Sequence, residues 1–291
     1  MKTIALLIGG LAFALAFVDL SKAERTKKFD WFWPQHRGSK PLPDSRVING
    51  QEARPGQFPY QALVLSFFED DESALCGGTL LTQNYVLTAA HCVIIDSLVT
   101  HGTVTLGVHN RQVEEETQQR IDFASINVHQ NFSESLLIND VATIQLATPA
   151  VFNDFVQPID LPSVSDTRRF SGFTGTISGF GRTSPETGSL ASDVIMYTSN
   201  PIMTNSGCQS SISTIQIQAQ YICQSAAGGR SACHGDSGGP LTIRENGRSL
   251  QVGIASFVRG GDCGAGVPVV FARVPYFLAW IRENSDVVLR D

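Results

Sequence analysis

A short apolar segment, YQALVLSF, occupies residues 60–67 and is rich in residues that favour β-strands. Three later segments have the same texture: TVTLGV at 103–108, VATIQL at 141–146 and LQVGIASF at 250–257. Clusters of Gly, Pro, Asn and Asp separate such segments, which is typical of β-sandwiches and β-barrels. From Val47 onward the sequence therefore predicts an all-β fold.

One helix is predicted, at the C-terminal end of the chain. Pro275 precedes an apolar pattern of Phe277, Leu278 and Ile281, with Trp280 among them. Proline favours the first turn of a helix, and this spacing gives one apolar face. We therefore expect a short terminal helix that packs on the core.

The chain before Val47 has a different composition. Lys2 precedes an apolar run at residues 4–18, which the small residue Ala23 follows, as in a secretory signal. The run is shorter than the ~20 residues that a membrane-spanning helix needs. We expect residues 1–23 to be a signal peptide, the protein to be secreted into the extracellular space, and no membrane anchor to be present.

Charge is distributed unevenly along the chain. All five lysines precede Val47, whereas 23 of the 27 acidic residues follow it, and the part from Val47 onward carries a net charge of roughly −10. Nucleic-acid binding usually requires a basic patch, so this composition argues against it.

The cysteines suggest disulfides rather than a metal site. The chain has six, an even number, and export would place them in an oxidising compartment. No Cys-x-x-Cys pair occurs, and neither His91 beside Cys92 nor His234 beside Cys233 has zinc-ligand spacing. We expect three disulfides, no metal and no cofactor.

Three short strings carry the chemistry: TAAHC at 88–92, NDVATIQL at 139–146 and GDSGGP at 235–240. In this order, and with cysteines beside two of them, they resemble the trypsin and chymotrypsin family. The resemblance extends from Val47 to the segment around Trp280. It implies the chymotrypsin fold, with two six-stranded antiparallel β-barrels that meet near residues 155–165, a short C-terminal helix, and one trypsin-like protease domain at 47–291.

The resemblance also implies catalytic roles. Ser237 would be the nucleophile, His91 the base that takes its proton, and Asp140 the buried carboxylate that orients the imidazole. The main-chain N–H groups of Gly235 and Ser237 would form the oxyanion hole. The order His, Asp, Ser matches this family and differs from that of subtilisins and α/β-hydrolases.

The string RVING at 46–50 resembles the family's activation site. Cleavage after Arg46 by a trypsin-like protease would free the N-terminus of Val47 to pair with Asp236. Residues 24–46, which are polar, basic and rich in proline, would then be an activation propeptide. They contain no cysteine, so the propeptide is expected to leave after cleavage.

Family spacing implies the disulfides Cys76–Cys92, Cys208–Cys223 and Cys233–Cys263. The segment from Val108 to Gln118 lacks the acidic pair of the family's calcium loop, and Pro268 stands where sodium-activated relatives carry an aromatic residue, so neither ion is expected. Asn131 begins the one glycosylation sequon that we identify.

The specificity pocket is expected to involve Ser231, Ser256, Val258 and Val269. Ser231 would lie at its floor, where trypsins carry an aspartate, so no charge would receive lysine or arginine; Asp262 is the less favoured candidate for that charge. The two valines stand where trypsins and chymotrypsins keep glycine. An elastase-like preference for small or medium aliphatic residues follows.

Several alternatives remain open at this point. Insertions around residues 259–261 could shift the register and leave a chymotrypsin-like pocket, and both valines could point into the core instead. The protein could be a non-catalytic homologue, or a secreted toxin or clotting modulator. We favour an invertebrate digestive-type endopeptidase, a monomer that acts on protein or peptide substrates and meets protein inhibitors.

Overall fold

The computed structural model describes residues 48–69, 72–184, 186, 189–212, 215–259 and 263–291. The predicted signal peptide and propeptide, including Arg46, lie outside the described residues, as do Val47 and Asp262.

Short strands dominate the described part of the chain. In chain order they are β1 (Gln51–Glu52), β2 (Gln61–Phe67), β3 (Ser73–Leu80), β4 (Tyr85–Thr88), β5 (Ile94–Ile95), β6 (Ser97–Leu98), β7 (His101–Leu106), β8 (Gln119–Val128), β9 (Ala142–Leu146), β10 (Thr174–Gly179), β11 (Met196–Pro201), β12 (Tyr221–Gln224), β13 (Pro240–Glu245), β14 (Arg248–Val258) and β15 (Val269–Arg273). The α-helices are α1 (Asn205–Ser211) and α2 (Val274–Glu283), and short 3₁₀ helices occupy Ala90–Cys92 and Ala227–Gly229. The predicted all-β fold is confirmed.

Six strands close into a barrel in the order β2-β3-β4-β9-β8-β7. Every pair in it is antiparallel. Val64, Val86, Val104 and Ile144, from four different strands, are fully buried in its core. Their apolar side chains alternate with residues on the other face, as the period of a strand requires.

The second half of the fold differs from a six-stranded barrel. It is a seven-stranded sheet in the order β1-β11-β10-β13-β14-β15-β12. The ends approach each other without a full ladder: Ile202 and Gln224 form one bridge, Met203 N–H donates to Cys223 O at 2.8 Å, and Ser225 N–H donates to Pro201 O at 2.9 Å. The expectation of a second six-stranded barrel is therefore corrected, because β1 adds to the edge of β11 and the closure is partial.

The connection between the two halves runs where the sequence predicts it. Ile159 N–H donates to Leu80 O of the barrel at 2.9 Å, and Gln251 N–H of the second sheet donates to Asp160 O at 2.9 Å. Consecutive residues of the connection therefore bond to both halves, which fixes the barrel beside the sheet.

The terminal helix α2 begins at Val274, with Pro275 in its first turn. It follows the second sheet in sequence, yet Phe277 and Ile281 are buried in the core of the first barrel. Trp280 Nε1 donates to Gln130 at 3.1 Å. The helix thus ties the C-terminal part of the chain to the first barrel. Among the described residues, no helix has the length and apolar character needed to cross a membrane.

Candidate active site

His91 lies in the 3₁₀ helix that directly follows β4, and it is 6% exposed. The neighbouring Cys92 is bonded to Cys76 of β3. Cys92 N–H donates to Ala89 O at 3.2 Å, which closes the turn. The disulfide and the turn together hold the imidazole against the wall of the barrel.

Asp140 lies two residues before the start of β9 and is 1% exposed. Its Oδ2 lies 2.8 Å from Nδ1 of His91, and its Oδ1 accepts the main-chain N–H of His91 at 3.0 Å. Ser256 of β14 donates its hydroxyl to the same Oδ2 at 2.5 Å. A carboxylate can only accept hydrogen bonds, so the ring proton of a neutral His91 lies on Nδ1. That tautomer leaves Nε2 as an acceptor.

Ser237 belongs to the segment that precedes β13. Its main-chain O accepts Gly77 N–H of β3 at 2.7 Å, and Gly238 N–H donates to Ala255 O of β14 at 2.8 Å. The segment around Ser237 is thereby held between β3 of the barrel and β14 of the second sheet. Nε2 of His91 is buried and has no hydrogen-bond partner among the described residues. The hydroxyl–imidazole bond is therefore not formed in this structure, as is common before substrate binds.

Gly235 has a φ of 97°, a conformation that favours glycine. A Cβ there would lie 3.0 Å from the Cα of Gly181, so a side chain would also crowd the neighbouring loop. Within the described part of the chain, the main-chain N–H groups of Gly235 and Ser237 donate no hydrogen bond. Both remain available to an acceptor on a substrate.

Asp236 is completely buried between these two residues. Gly181 N–H donates to its Oδ1 at 2.8 Å, and Cys233 N–H donates to its Oδ2 at 2.9 Å. Burial raises the pKa of Asp236 to about 6, although the two N–H donors act in the opposite direction. No cationic group of the described residues lowers this pKa.

A cavity opens beside Ser237. Its lining is mostly apolar and consists of Ala232, Cys233, His234, Ser237, Ala255, Ser256, Phe257, Val258, Cys263 and Val269. Its volume is about 20 Å³, which is little more than one water molecule requires. Val258 and Val269 are both among the lining residues, and both also belong to the buried apolar cluster of the second sheet.

Ser231 is fully buried and does not line the cavity. Its hydroxyl donates to Ala232 O at 2.8 Å. Ser231 is thus next in sequence to Ala232, which does line the cavity. The described residues that line the cavity include no Asp, Glu, Lys or Arg.

Three disulfides are present: Cys76–Cys92, Cys208–Cys223 and Cys233–Cys263. The expected number and pairing thus agree with the structure. Cys233 and Cys263 both line the cavity. The ring of His91 lies close to Cys76 and Cys92, but these two sulfurs are bonded to each other and are not available as thiolate ligands.

Two further predicted features lie away from the cavity. Asn131 is exposed, as glycosylation of its side chain would require. In the segment that corresponds to the family's calcium loop, Glu115 accepts the N–H groups of His109 at 2.7 Å and Asn110 at 3.2 Å. Gln118 Nε2 also donates to it at 3.1 Å. Hydrogen-bond donors therefore surround this carboxylate.

The sequence did not reveal every contact of the site. It assigned Ser256 to substrate binding alone, whereas the structure joins its hydroxyl to Asp140, 116 residues away in sequence. Phe257 and Ala232 also line the cavity. Their proximity to Val258 and Ser231 in sequence is the signal that could have identified them.

The fold and the site define a class of protein. The trypsin family model matches residues 47–281. The chain therefore belongs to the trypsin family and is a serine endopeptidase.

Several relatives agree with this assignment. The collagenase of Hypoderma lineatum is 34% identical over 250 residues, which cover 85% of this chain and 90% of that protein. The brachyurin of Leptuca pugilator is 35% identical over 83% of this chain and 99% of its own length. The chymotrypsin of Phaedon cochleariae is 36% identical over 84% of each. A solved HL collagenase structure matches with a TM-score of 0.73 and 33% identity, and covers 83% of this chain and 100% of that chain.

Proposed function

We propose that this endopeptidase hydrolyses peptide bonds through an acyl-enzyme formed on Ser237, with His91 and Asp140 as the other members of the triad. The observation that carries the proposal is the buried contact of 2.8 Å between His91 Nδ1 and Asp140 Oδ2. It fixes the tautomer that leaves Nε2 free to accept a proton. Nε2 has no competing partner among the described residues.

In the first half of the reaction, the Ser237 hydroxyl attacks the peptide carbonyl and its proton passes to Nε2 of His91. The carbonyl oxygen becomes negative and accepts the N–H groups of Gly235 and Ser237. Collapse of this intermediate breaks the C–N bond, and His91 returns the proton to the leaving amine. Water then repeats the sequence on the ester, which releases the acid and restores Ser237.

We further propose an elastase-like preference for small or medium aliphatic residues before the scissile bond. Val258 and Val269 both line the cavity, at positions where trypsins and chymotrypsins keep glycine, and their added bulk favours a short aliphatic side chain over a ring. A buried cation without a partner would cost several kcal/mol, so lysine and arginine are disfavoured there. The rival is a chymotrypsin-like preference, which is favoured by the similarity to a protein named chymotrypsin.

We also propose secretion as a zymogen that a trypsin-like protease activates after Arg46. Support comes from Asp236, a fully buried carboxyl whose described partners are two neutral N–H groups. The ammonium of a new Val47 N-terminus would compensate its charge. A single chain would then act on proteins or peptides, subject to protein inhibitors.

A fluorophosphonate probe tests the triad. After treatment with trypsin, the wild-type protein should be labelled at Ser237 and should hydrolyse peptides, whereas Ser237→Ala should fold yet lose several orders of magnitude in turnover. Ser165→Ala, at an exposed serine, is the matched control and should retain labelling and activity. Labelling that persists in Ser237→Ala would refute the assignment of the nucleophile.

A peptide series tests the specificity. Substrates with Ala, Val, Leu, Phe or Arg before the scissile bond should be cleaved best with the aliphatic residues. A tenfold advantage of Phe over Ala and Val, about 1.4 kcal/mol, would favour the chymotrypsin-like alternative. Efficient cleavage after Arg would overturn both proposals for the pocket.

A further inference from the structure

A turn that precedes the cavity-lining residue Ala232 in sequence has four consecutive carbonyls that accept hydrogen bonds from two asparagine side chains. We call residues 226–230 the base turn. Asn200 Nδ2 donates to the carbonyls of Ala227 at 3.3 Å and Arg230 at 3.2 Å. Asn49 Nδ2 approaches the two carbonyls between them, Gly228 at 3.3 Å and Gly229 at 3.4 Å. Side-chain amides therefore hold the base turn from two sides.

The base turn has short-range hydrogen bonds of its own: Gly229 N–H donates to Ala226 O at 3.0 Å, and Ala227 N–H donates to the Ser225 hydroxyl at 3.2 Å. Ala227, Gly228 and Arg230 are exposed to solvent. Gly228 and Gly229 have φ values of 71° and 68°. A pair of glycines has more backbone freedom to lose than other residues. The hydrogen bonds from the two asparagines therefore add to the local ones in keeping the turn in one conformation.

Asn200 lies on β11 and is 2% exposed. Two carbonyls face one end of its carboxamide, so that end must be the NH₂ group. Its Oδ1 is buried and has no partner among the described residues. Such an unpaired acceptor destabilises the fold. An apolar side chain would avoid that cost, which points to a role for the NH₂ group at this position.

The main chain at Asn200 is itself fixed. Gln224, the last residue of β12, donates its Nε2 to Asn200 O at 3.2 Å and to Gly175 O at 2.6 Å. The base turn begins two residues after Gln224. One end of the turn is thus tied to the strand that supplies Asn200.

Asn49 belongs to the segment that follows the proposed cleavage site. Its φ is 57°, a conformation that asparagine tolerates better than most residues. The preceding Ile48 clusters with Cys233 and Cys263, two cysteines that line the cavity. Asn49 therefore reaches the base turn from a segment that is anchored beside the cavity.

We propose that Asn49 and Asn200 are positioning residues for the specificity pocket. Their carboxamides fix the base turn, which leads directly into Ser231 and Ala232 and so sets the level of the cavity's inner end. This proposal rests on the proposed function of the cavity, and neither asparagine contacts the reacting atoms.

The decisive variants are Asn200→Leu and Asn49→Gly. Leucine is similar in size and removes both amide donors of Asn200, while glycine keeps the positive φ at residue 49 and removes only the carboxamide. The matched controls are Asn127→Leu, whose amide contacts Thr143 and Asn284 in another part of the fold, and Asn246→Gly, with a φ of 50° in the β13–β14 turn.

Each activated variant is titrated with a fluorophosphonate, and KM and kcat are measured per active site. Asn200→Leu and Asn49→Gly, which we call the clamp variants, should each raise KM for an aliphatic substrate about three- to tenfold. Their kcat should stay within about twofold of the wild-type value. The ratio of kcat/KM for Val to kcat/KM for Phe should decrease in the clamp variants, while the control variants retain the wild-type values. Unchanged KM and preference in both clamp variants, or equal changes in the controls, would overturn the proposal.

Hydrogen exchange gives a readout that does not depend on activity. Peptides that cover residues 224–232 should exchange faster in Asn200→Leu and Asn49→Gly, and at the wild-type rate in both controls. If hydrogen exchange of residues 224–232 is unchanged in both clamp variants, the positioning role of the two asparagines is refuted, even if the enzyme cleaves as proposed. If the proposed function itself is wrong, the wild-type protein will lack the expected peptide hydrolysis. If Asn200→Leu does not fold, Asn200→Ala and Asn49→Gly must show the same changes.

Discussion

Val258 and Val269 are direct partners in the register of β14 and β15, and both line the cavity beside Ser237. Directly paired residues on adjacent strands place their side chains next to each other on one face of the sheet, so the two valines contribute bulk to the same wall. Because the disulfide Cys233–Cys263 borders the same cavity, the walls are braced and do not separate easily.

Shortening either valine should therefore widen the accepted range of substrates. In Val258→Ala and Val269→Ala, kcat/KM for Phe relative to Val should rise about tenfold, since a methylene-scale change in an apolar pocket has an effect of that size. Val270→Ala is the control, because Val270 is buried in a different cluster behind the sheet. That variant should lose stability without a change of preference, and an unchanged Phe/Val ratio in both pocket variants would contradict the prediction.

Ser256 supports a second prediction, about turnover. Its hydroxyl shares Oδ2 of Asp140 with His91, so Ser256→Ala would leave a buried carboxylate with one donor fewer. We expect kcat to fall about tenfold, from a loss of about 1.4 kcal/mol in hydrogen bonding to a charged group.

Ser178→Ala is the matched control for this variant. Ser178 is 1% exposed, and its hydroxyl donates to Gln61 at 2.7 Å. Its loss should lower the free energy of unfolding and leave kcat per active site unchanged. Equal effects of the two variants on kcat would show that Ser256 acts only through stability.

Local patterns explain what the sequence predicted well. The apolar segment at 141–146 became β9 (Ala142–Leu146), and Pro275 lies in the first turn of α2. A run of strand-forming residues and a helix-initiating proline are both properties of residues that are neighbours in sequence. Both can therefore be recognised without knowledge of the rest of the fold.

Contacts between distant segments were not predictable in the same way. The bond from Ser256 to Asp140 depends on how a strand of the second sheet lies against the barrel. The partial closure at Ile202 and Gln224 depends on how strongly that sheet curls. The clamp at Asn200 spans about 30 residues of sequence. No local periodicity or residue spacing in the sequence encodes how such distant segments come into contact.

Glu115 gives a third prediction, about stability. Burial alone would raise the pKa of this carboxyl, but N–H donors from His109, Asn110 and Gln118 outweigh it, so the pKa of Glu115 lies below its usual value. A lowered pKa means stability that is present at neutral pH and is lost as pH falls through the folded-state pKa. Glu115→Gln should therefore cost about 1 kcal/mol at neutral pH and less in acid.

Urea unfolding at several pH values measures this difference. The control is Glu116→Gln, at an exposed neighbour, which should behave as the wild type does. A chelator should not change the unfolding midpoint, because protein N–H groups already occupy the Glu115 carboxylate. If Glu115→Gln lowered the free energy of unfolding by the same amount at every pH, the stabilising role of the Glu115 charge would be contradicted.

The absence of lysine after Lys40 allows a chemical test of activation. Cleavage after Arg46 would make the α-amine of Val47 the sole primary amine of the mature protein. Cyanate should therefore abolish activity in proportion to carbamylation of Val47, because the carbamylated N-terminus cannot carry the charge that pairs with Asp236. Precursor treated with cyanate before cleavage is the control, and it should become fully active once trypsin exposes an unmodified Val47.

Asp236 leads to the last prediction, the response of the precursor to pH. Without a cationic partner, burial raises the pKa of Asp236 to about 6, above the ordinary value of 3.8, and we expect this state in the precursor. Between these two values the folded precursor binds a proton that the unfolded chain has released. The free energy of unfolding must therefore rise as pH falls from 6 towards 4, and this gain is absent above pH 6.

Cleavage should remove this dependence, because the Val47 ammonium would compensate the carboxylate and lower its pKa. Urea unfolding of precursor and mature protein, both as Ser237→Ala to prevent self-digestion, compares the two pH profiles directly. An Asp236→Asn precursor lacks the titrating group and should also lose the acid-side gain. If the free energy of unfolding of the Asp236→Asn precursor still rose as steeply between pH 6 and pH 4, another group would be responsible for the rise. The proposed link between Asp236 and activation would then lose its electrostatic basis.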